Sequence, residues 1–438
     1  MKSFFLNFWE TLRGSYWFVP ALMTAGAFAL SFTLLSLDQR LHVHSLTGFA
    51  WIYAGSAAGA RSVLSTVASS IITVAGTTFS ITIAALSLAS SQFGPRLLRG
   101  FLRDTGNQVV LGTFIGTFVY CLLVLRTIRG MDNEVFVPNL AVTGGVILAL
   151  ASVGVLIYFI NHVSASIQAS NVIASVSGEL NEAIDRLYPT RIGKEYEDIE
   201  QTLDGPEALS DGGREIIAES SGYVQILDES RLMELAREAD GVLEVARRPG
   251  TFVTEGAVLA RLRADRPPPE DFRRNVNKAF VLGPHRTMTQ DAGFGVDQLV
   301  EVAIRALSPG INDPFTAVTC LDRLGAGLAR LATRRMPSAR RYDDDGALRV
   351  VAEPLLFPEM VDASFDQIRQ YGSDSYLVTL RLLETLEAVG AQAEGDDHRD
   401  ALRRQAELIH AGAEAIAAPE DRRVVAARYA RVLKSLNA

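Results

Sequence analysis

Four stretches without a single Asp, Glu, Lys or Arg decide what this chain can fold into: Trp17 to Leu37, Val63 to Ser90, Val109 to Leu125, and Val135 to Ile160. Crossing a hydrocarbon core takes about 20 apolar residues at helical rise. In lipid the backbone must satisfy its own hydrogen bonds, so each stretch is expected as a membrane-spanning helix. The first is too long for a signal peptide and no small-residue cleavage site follows it, so it is read as a span. A fifth stretch, Leu46 to Ala60, is apolar but short, with Arg61 behind it. It reads as an interfacial or re-entrant segment anchored by Trp51 and Tyr53.

Charge divides the chain in two. Residues 1–160 hold nine Lys and Arg against five Asp and Glu, a net of +4, which leaves −12 for the remainder. An acidic second part carries no nucleic-acid footprint. Cys121 and Cys320 fall one in each part and suggest no disulfide framework, as in a soluble part kept reducing. Basic residues flank the spans almost evenly, five on one side and four on the other. The cysteine usage then favours a cytoplasmic carboxy terminus, and four spans place the amino terminus there too.

The second span is crowded with hydroxyls: SVLSTVASSIITVAGTTFSITIAALSLASS. On a 3.6-residue period, Ser62, Ser65, Thr66, Ser69, Thr73, Gly76, Thr77, Ser80, Ala84, Ser87 and Ser91 form one stripe. Leu64, Ile71, Ile72, Phe79, Ile81, Ile83, Leu86 and Leu88 lie on the opposite side. Small hydroxylated residues serve close packing between helices, or they line a water-filled path in a ring of subunits. Packing is the slightly stronger reading, and the stripe's length adds weight to the second, since a packing motif seldom needs eight or nine consecutive helical steps. Arg61 and Arg96 stand near its two ends as candidate pore-end charges. No Asp, Glu, Lys or Arg lies within a span, which disfavours coupled transport relative to a passive pore. Pro95, after Gly94, is expected to end this helix.

The fourth span has no evident stop before Pro189. Beyond the membrane, Ile173, Val176, Leu180, Ala183 and Leu187 repeat at steps of three and four, the spacing of a coiled-coil seam. Residues 162–188 are therefore expected as a continuous extension packing on copies of itself, which makes the protein a homo-oligomer. Asn161 and His162 read as packing residues.

After a polar linker from Pro189 to Gly213 the pattern turns to short alternating strands, and GVLEVARRPGTFVTEGAVLARL resembles half of the barrel-sandwich hybrid of biotinyl and lipoyl domains. No lysine stands at the hairpin tip, so the resemblance implies a structural module and no attached cofactor. Residues 267–334 follow a PPP spacer and carry RTMTQD and SPGINDP between helical repeats, with Asp313 and Pro314 set to begin a helix. Arg286, Gln290, Asp291, Asn312 and Asp313 concentrate polar groups beside two apolar helices as a candidate ligand or subunit contact. Residues 334–346 are expected to be exposed, and 335–438 to form a helical domain.

The serine-rich span running into SSQFGPR, the segment DTGNQVVLGTFIGTFVY, and RTMTQDAGFGVDQLVEVAIRALSPGINDPFTA resemble the bacterial membrane-protein family DUF2254. The resemblance covers nearly the whole chain and implies a polytopic inner-membrane protein; it brings no assigned reaction and no catalytic residues. A Walker loop, a complete dinucleotide fingerprint, a zinc-spaced Cys/His set and a serine elbow are all missing from the sequence, and His42 with His44 lacks a third ligand.

The expected architecture is thus an α-helical membrane domain over 1–161 followed by a cytoplasmic α+β part, with a small barrel-like module in 189–266 and a helical bundle. The expected activity is that of a homo-oligomeric inner-membrane channel for ions or small solutes, with no enzyme chemistry, cofactor or metal. The alternative is a membrane-anchored sensor or scaffold.

Overall fold

The computed structural model describes residues 17–41, 56–94, 104–131, 134–188 and 213–437. They form two compact units, the first ending at Asn171 and the second beginning at Val172.

Among the described residues the first unit holds four long helices, α1 (Phe18–Leu41), α2 (Ala57–Phe93), α3 (Thr105–Thr127) and α4 (Asn139–Ser166). All four are long and apolar enough to cross a membrane. The Ser56 hydroxyl accepts from the Gly59 N–H at 3.2 Å and starts α2. Ala57 to Ala60 are therefore the first turn of the second span, not the end of an interfacial segment; the rest of that segment, with Trp51 and Tyr53, lies outside the described residues. At its other end α2 stops on Gly94, whose φ of 102° precedes Pro95. At ~1.5 Å per residue its 37 positions reach ~55 Å. A two-stranded hairpin, β1 (Arg129–Met131) and β2 (Glu134–Phe136), separates α3 from α4, so the fourth span begins at Asn139 and not at Val135.

The third span packs against the other three. Glycine makes this possible where α1 crosses it: a methyl on Gly112 would lie 2.6 Å from the Met23 sulfur. Around α3 the polar contacts are few and specific. Asp38, at the end of α1, accepts from the Leu140 and Ala141 N–H groups at 3.0 Å each and so caps α4 from outside its own chain segment. The Tyr120 hydroxyl donates to the Ala141 carbonyl at 2.8 Å. Thr117 and Ser152 pair their buried hydroxyls at 3.2 Å.

Helix α4 does not run on. It ends at Ser166, and α5 (Ala169–Leu187) starts afresh. Ser164 and Ser166 donate back to the Ile160 and His162 carbonyls, and the Asn171 side-chain amide donates to the Ala165 carbonyl at 2.7 Å. Where the helix stops, the Ala165 carbonyl accepts from the Gln168 N–H at 3.2 Å as well as from the Asn171 amide.

In the second unit the expected coiled-coil seam is occupied by the chain itself. Ile173, Val176, Leu180 and Ala183 are buried. Leu180 nests against Gly295 and Gly327, each of which leaves just the room its side chain fills. Four of the five seam residues thus supply core contacts within the chain, and Leu187 is half-buried.

The strands make two open sheets rather than a barrel. The first has the order β3 (Arg214–Ile217), β7 (Val258–Ala264), β5 (Gly241–Val245), β10 (Leu348–Ala352) and β9 (Arg340–Tyr342). The second has β6 (Phe252–Val253), β4 (Gly222–Leu227) and β8 (Phe280–Gly283). Among the described strands only the β10–β5 pairing is parallel. Closure would need each edge strand to find a partner, and β3 and β9 end the larger sheet. Strands β8, β9 and β10 come from beyond residue 266, so the module is not confined to 189–266. The Arg/Asp-rich stretch 334–346 is among its parts: it supplies β9, and Asp343 in the following turn is buried. Helices α6 (Glu229–Glu238) and α7 (Phe272–Ala279) share the core of these sheets through Leu232, Leu235, Leu243, Leu259, Phe272 and Val276.

The helical remainder comprises α8 (Ala292–Ala306), α9 (Pro314–Ala332), α10 (Phe357–Tyr371), α11 (Tyr376–Gly390), α12 (Asp396–Gly412) and α13 (Pro419–Leu436). The SPGINDP motif is the turn between α8 and α9. Asn312 takes a left-handed φ of 51° there, and Asp313 accepts from the Thr316 N–H at 3.1 Å with Pro314 in the first helical turn.

Candidate functional site

The stripe on α2 faces away from the other described residues of its unit. The buried line of the helix runs through Ala60, Leu64, Ala68, Ile71, Ala75, Thr78, Thr82, Ala85 and Ala89. Ser62, Ser65, Thr66, Ser69, Thr73, Gly76, Thr77, Ser80, Ala84, Ser87 and Ser91 are all exposed, half a helical turn from that line. Ile72, Phe79, Ile81, Ile83 and Leu88 are exposed on its flanks. Only Leu64 and Ile71, of the apolar side, pack inward. A methyl added at Gly76 would meet nothing within 4 Å.

Most of these hydroxyls donate to their own helix. Thr66 bonds the Ser62 carbonyl at 2.8 Å, Thr73 the Ser69 carbonyl at 2.9 Å, Thr77 the Thr73 carbonyl at 3.0 Å, and Ser80 the Gly76 carbonyl at 2.9 Å. With the proton used on the backbone, each oxygen keeps lone pairs to offer outward. The row is therefore a lane of weak acceptors, tolerable beside lipid and able to solvate a cation or a water chain. Arg61 is not a loose charge at its end: its guanidinium donates to the Ile128 carbonyl at 2.8 Å and ties the start of α2 to the end of α3. Arg96 lies outside the described residues. His162 bonds Asp104, the N-cap of α3, and stacks on Tyr158.

In the second unit, RTMTQD lines a cleft of about 950 Å³. Arg286 meets Asp291 in a two-point pair, at 2.8 and 3.1 Å, and also bonds Asp297. The guanidinium lies over the Phe294 ring, 5.3 Å from its centre. Asp291 is only 6% exposed and caps α8 by accepting from the Phe294 N–H at 3.2 Å. Burial raises its carboxyl above the usual range, with Arg286 working in the other direction. Burial opposes the charge on Arg286 as well, but its two carboxylates prevail and raise its pKa. Gly250, at φ 88°, brings a turn against Asp291 where a side chain would collide with the carboxylate. Gln290 exchanges both amide bonds with Leu227, at 2.7 and 3.1 Å, and so fastens α8's entrance to the end of β4.

Of the five polar residues singled out in the sequence, Arg286, Gln290 and Asp291 thus come together at the start of α8. Asn312 and Asp313 sit in the turn that follows that helix and join a different local network. No spacing in the chain signals that Arg186, Tyr188, Arg247, Arg248 and Arg341 share the cleft, because they arrive from separate segments. Among the described residues no three His, Cys, Asp or Glu side chains are placed to hold a metal. Cys121 and Cys320 are buried and unbridged; burial pushes the Cys320 thiol up to about 12.

Residues 13–388 match the family model DUF2254, described as a predicted membrane protein. The chain is 34% identical over 431 residues to the uncharacterized protein Mb1321c of Mycobacterium bovis, covering 96% of this chain and 81% of that one. The uncharacterized protein Rv1290c of Mycobacterium tuberculosis matches to the same extent. No solved structure matches.

Proposed function

The chain belongs to the DUF2254 family of predicted membrane proteins, and from that premise we propose that it is a homo-oligomeric inner-membrane channel for ions or small solutes, with α2 lining the path. The observation that carries this reading is the outward row of hydroxyls on the longest of the four apolar helices. Among the described residues nothing in its own unit covers that row, yet it repeats over about eight turns of helix. Lipid alone gives no reason for so regular a polar face, whereas copies arranged about an axis would turn it toward water. Both termini are assigned to the cytoplasm, and the second unit to a vestibule or gate.

Single cysteines along α2, in a chain lacking Cys121 and Cys320, test this directly. Water-soluble thiol reagents should modify positions 69, 73 and 80 in the assembled protein. Protection of all three, with reaction only toward membrane-permeant reagents, would leave the row facing lipid. Purified protein in planar bilayers should give unitary currents altered by substitution of Ser69 or Thr73.

A second reading, a membrane-anchored sensor, is favoured by one feature, the arginine-lined cleft of the second unit. An electrically silent, well-folded protein that still binds a ligand in that cleft would select it.

A further inference from the structure

Five arginines and six carboxylates line the cleft beside Arg286, and they are paired unevenly. Arg286 is matched by Asp291 and Asp297, Arg248 by Glu359 at 2.8 Å, and Asp362 is taken by Arg404 from outside the lining. Arg186, Arg247 and Arg341 are different. Each donates only to backbone carbonyls: Arg186 to Met288 and Thr289, Arg247 to Val258, and Arg341 to Ser338 and Arg340. Their remaining N–H donors meet no carboxylate of the described residues. Arg247 and Arg341 are also half-buried, where water compensates a charge less well. Backbone bonds hold the three guanidinium groups in place without neutralising them, which is how an arginine is set up to receive an anion. Two lining carboxylates, Glu229 and Glu353, have no cationic partner among the described residues and would accept from hydroxyl or amino groups. The volume suits a ligand of nucleotide size, and Leu187, Val245, Pro249 and Leu355 offer it apolar wall.

We propose that this cleft binds a small soluble organic anion bearing hydroxyl or amino groups, of the nucleotide or sugar-phosphate class, with its anionic part held by Arg186, Arg247 and Arg341. The site stands on the second unit alone and holds whether or not the membrane unit conducts. ATP and inorganic pyrophosphate, titrated calorimetrically into the full chain in detergent at fixed ionic strength, test it. ATP should bind saturably and more tightly than pyrophosphate. R247Q and R341Q should each weaken ATP binding about tenfold, as expected for a lost charge-assisted bond; R423Q, an exposed arginine outside the cleft, should leave it unchanged. Absence of saturable binding by both probes overturns the proposal, as does equal weakening by R423Q. ATP binding no tighter than pyrophosphate removes the roles given to Glu229 and Glu353. Should a cleft variant fail to fold, phenylglyoxal modification of the wild-type chain decides the same question: ATP must shield Arg186, Arg247 and Arg341 but not Arg423, and uniform labelling refutes the site.

Discussion

Asp291 does three things at once, and each leaves a measurable trace. It caps α8, pairs with Arg286 at two points, and occupies the space that Gly250 leaves open. Alanine there removes the cap and leaves Arg286 with Asp297 as its counterion, at an expected cost of about 2–4 kcal/mol. Asparagine, which still accepts from Phe294 N–H, should cost less. Denaturant unfolding of the full chain in detergent would rank them; equal stabilities would deny Asp291 its structural role. Asp185 gives a pH test of the opposite kind. Arg330 grips its two oxygens, at 2.6 and 2.5 Å, and Arg334 adds a third bond. These guanidinium groups, Arg330 foremost, hold its pKa below the ordinary value of 3.8. A carboxylate with a depressed folded pKa stabilises the fold fully above its unfolded pKa and loses that contribution as pH falls through the folded one. The stability gap between wild type and D185N should therefore be constant above about pH 5 and close below 3.8. A gap that widens on acidification would contradict the pairing. Asp313 is legible as a cap in the sequence because proline follows it. Asp291 is not, because its partner Arg286 is five residues away across a turn that no spacing rule describes.

A single helix, α2, shows how one element can be read correctly in one direction and incompletely in the other. Hydropathy locates it, and the 3.6-residue period separates its two faces. What the period cannot say is which face the chain itself covers, since alanine and serine are equally small. In the folded unit the alanine line packs inward and the hydroxyl row does not. Leucine at Ala68 or Ala75 must then displace neighbouring helices, costing about 1–3 kcal/mol, whereas leucine at Ser69 or Thr77 leaves the unit's packing untouched. Thermal unfolding in detergent would detect the difference, and similar losses on both faces would mean the row is covered. The same logic explains the seam on α5. Heptad spacing reports an apolar edge but not its partner, and here the partners are Gly295 and Gly327 of the same chain. Valine at Gly295, whose added carbon would start 3.1 Å from Leu180, should destabilise the second unit by a similar amount. The sheets are the least legible part. Strands β8, β9 and β10 join from segments roughly 15 to 90 residues beyond the hairpin region, and such long-range pairing leaves little trace in local alternation.

For the whole molecule the controlling quantity is the mismatch between a weakly basic membrane part and a second part carrying −12. Outward-facing hydroxyl oxygens, with their protons engaged by the backbone, solvate cations better than anions. An acidic second part raises the local concentration of cations near it, within a Debye length of about 8 Å at physiological salt. If α2 lines a path and the second part forms its vestibule, both effects act with the same sign and the path should prefer cations. Under a tenfold KCl gradient across a planar bilayer the reversal potential should lie toward the potassium equilibrium value. Two contributions of different range can then be separated. Raising the salt to about 1 M shortens the Debye length to about 3 Å and removes the bulk attraction, so conductance should rise less than in proportion while some preference for potassium persists from the hydroxyl row. Tryptophan at Thr73, midway along the row, should block the current without altering the mass of the assembly. A reversal potential at the chloride value, or currents indifferent to Thr73, would detach the hydroxyl row from conduction and leave it as a face turned to lipid.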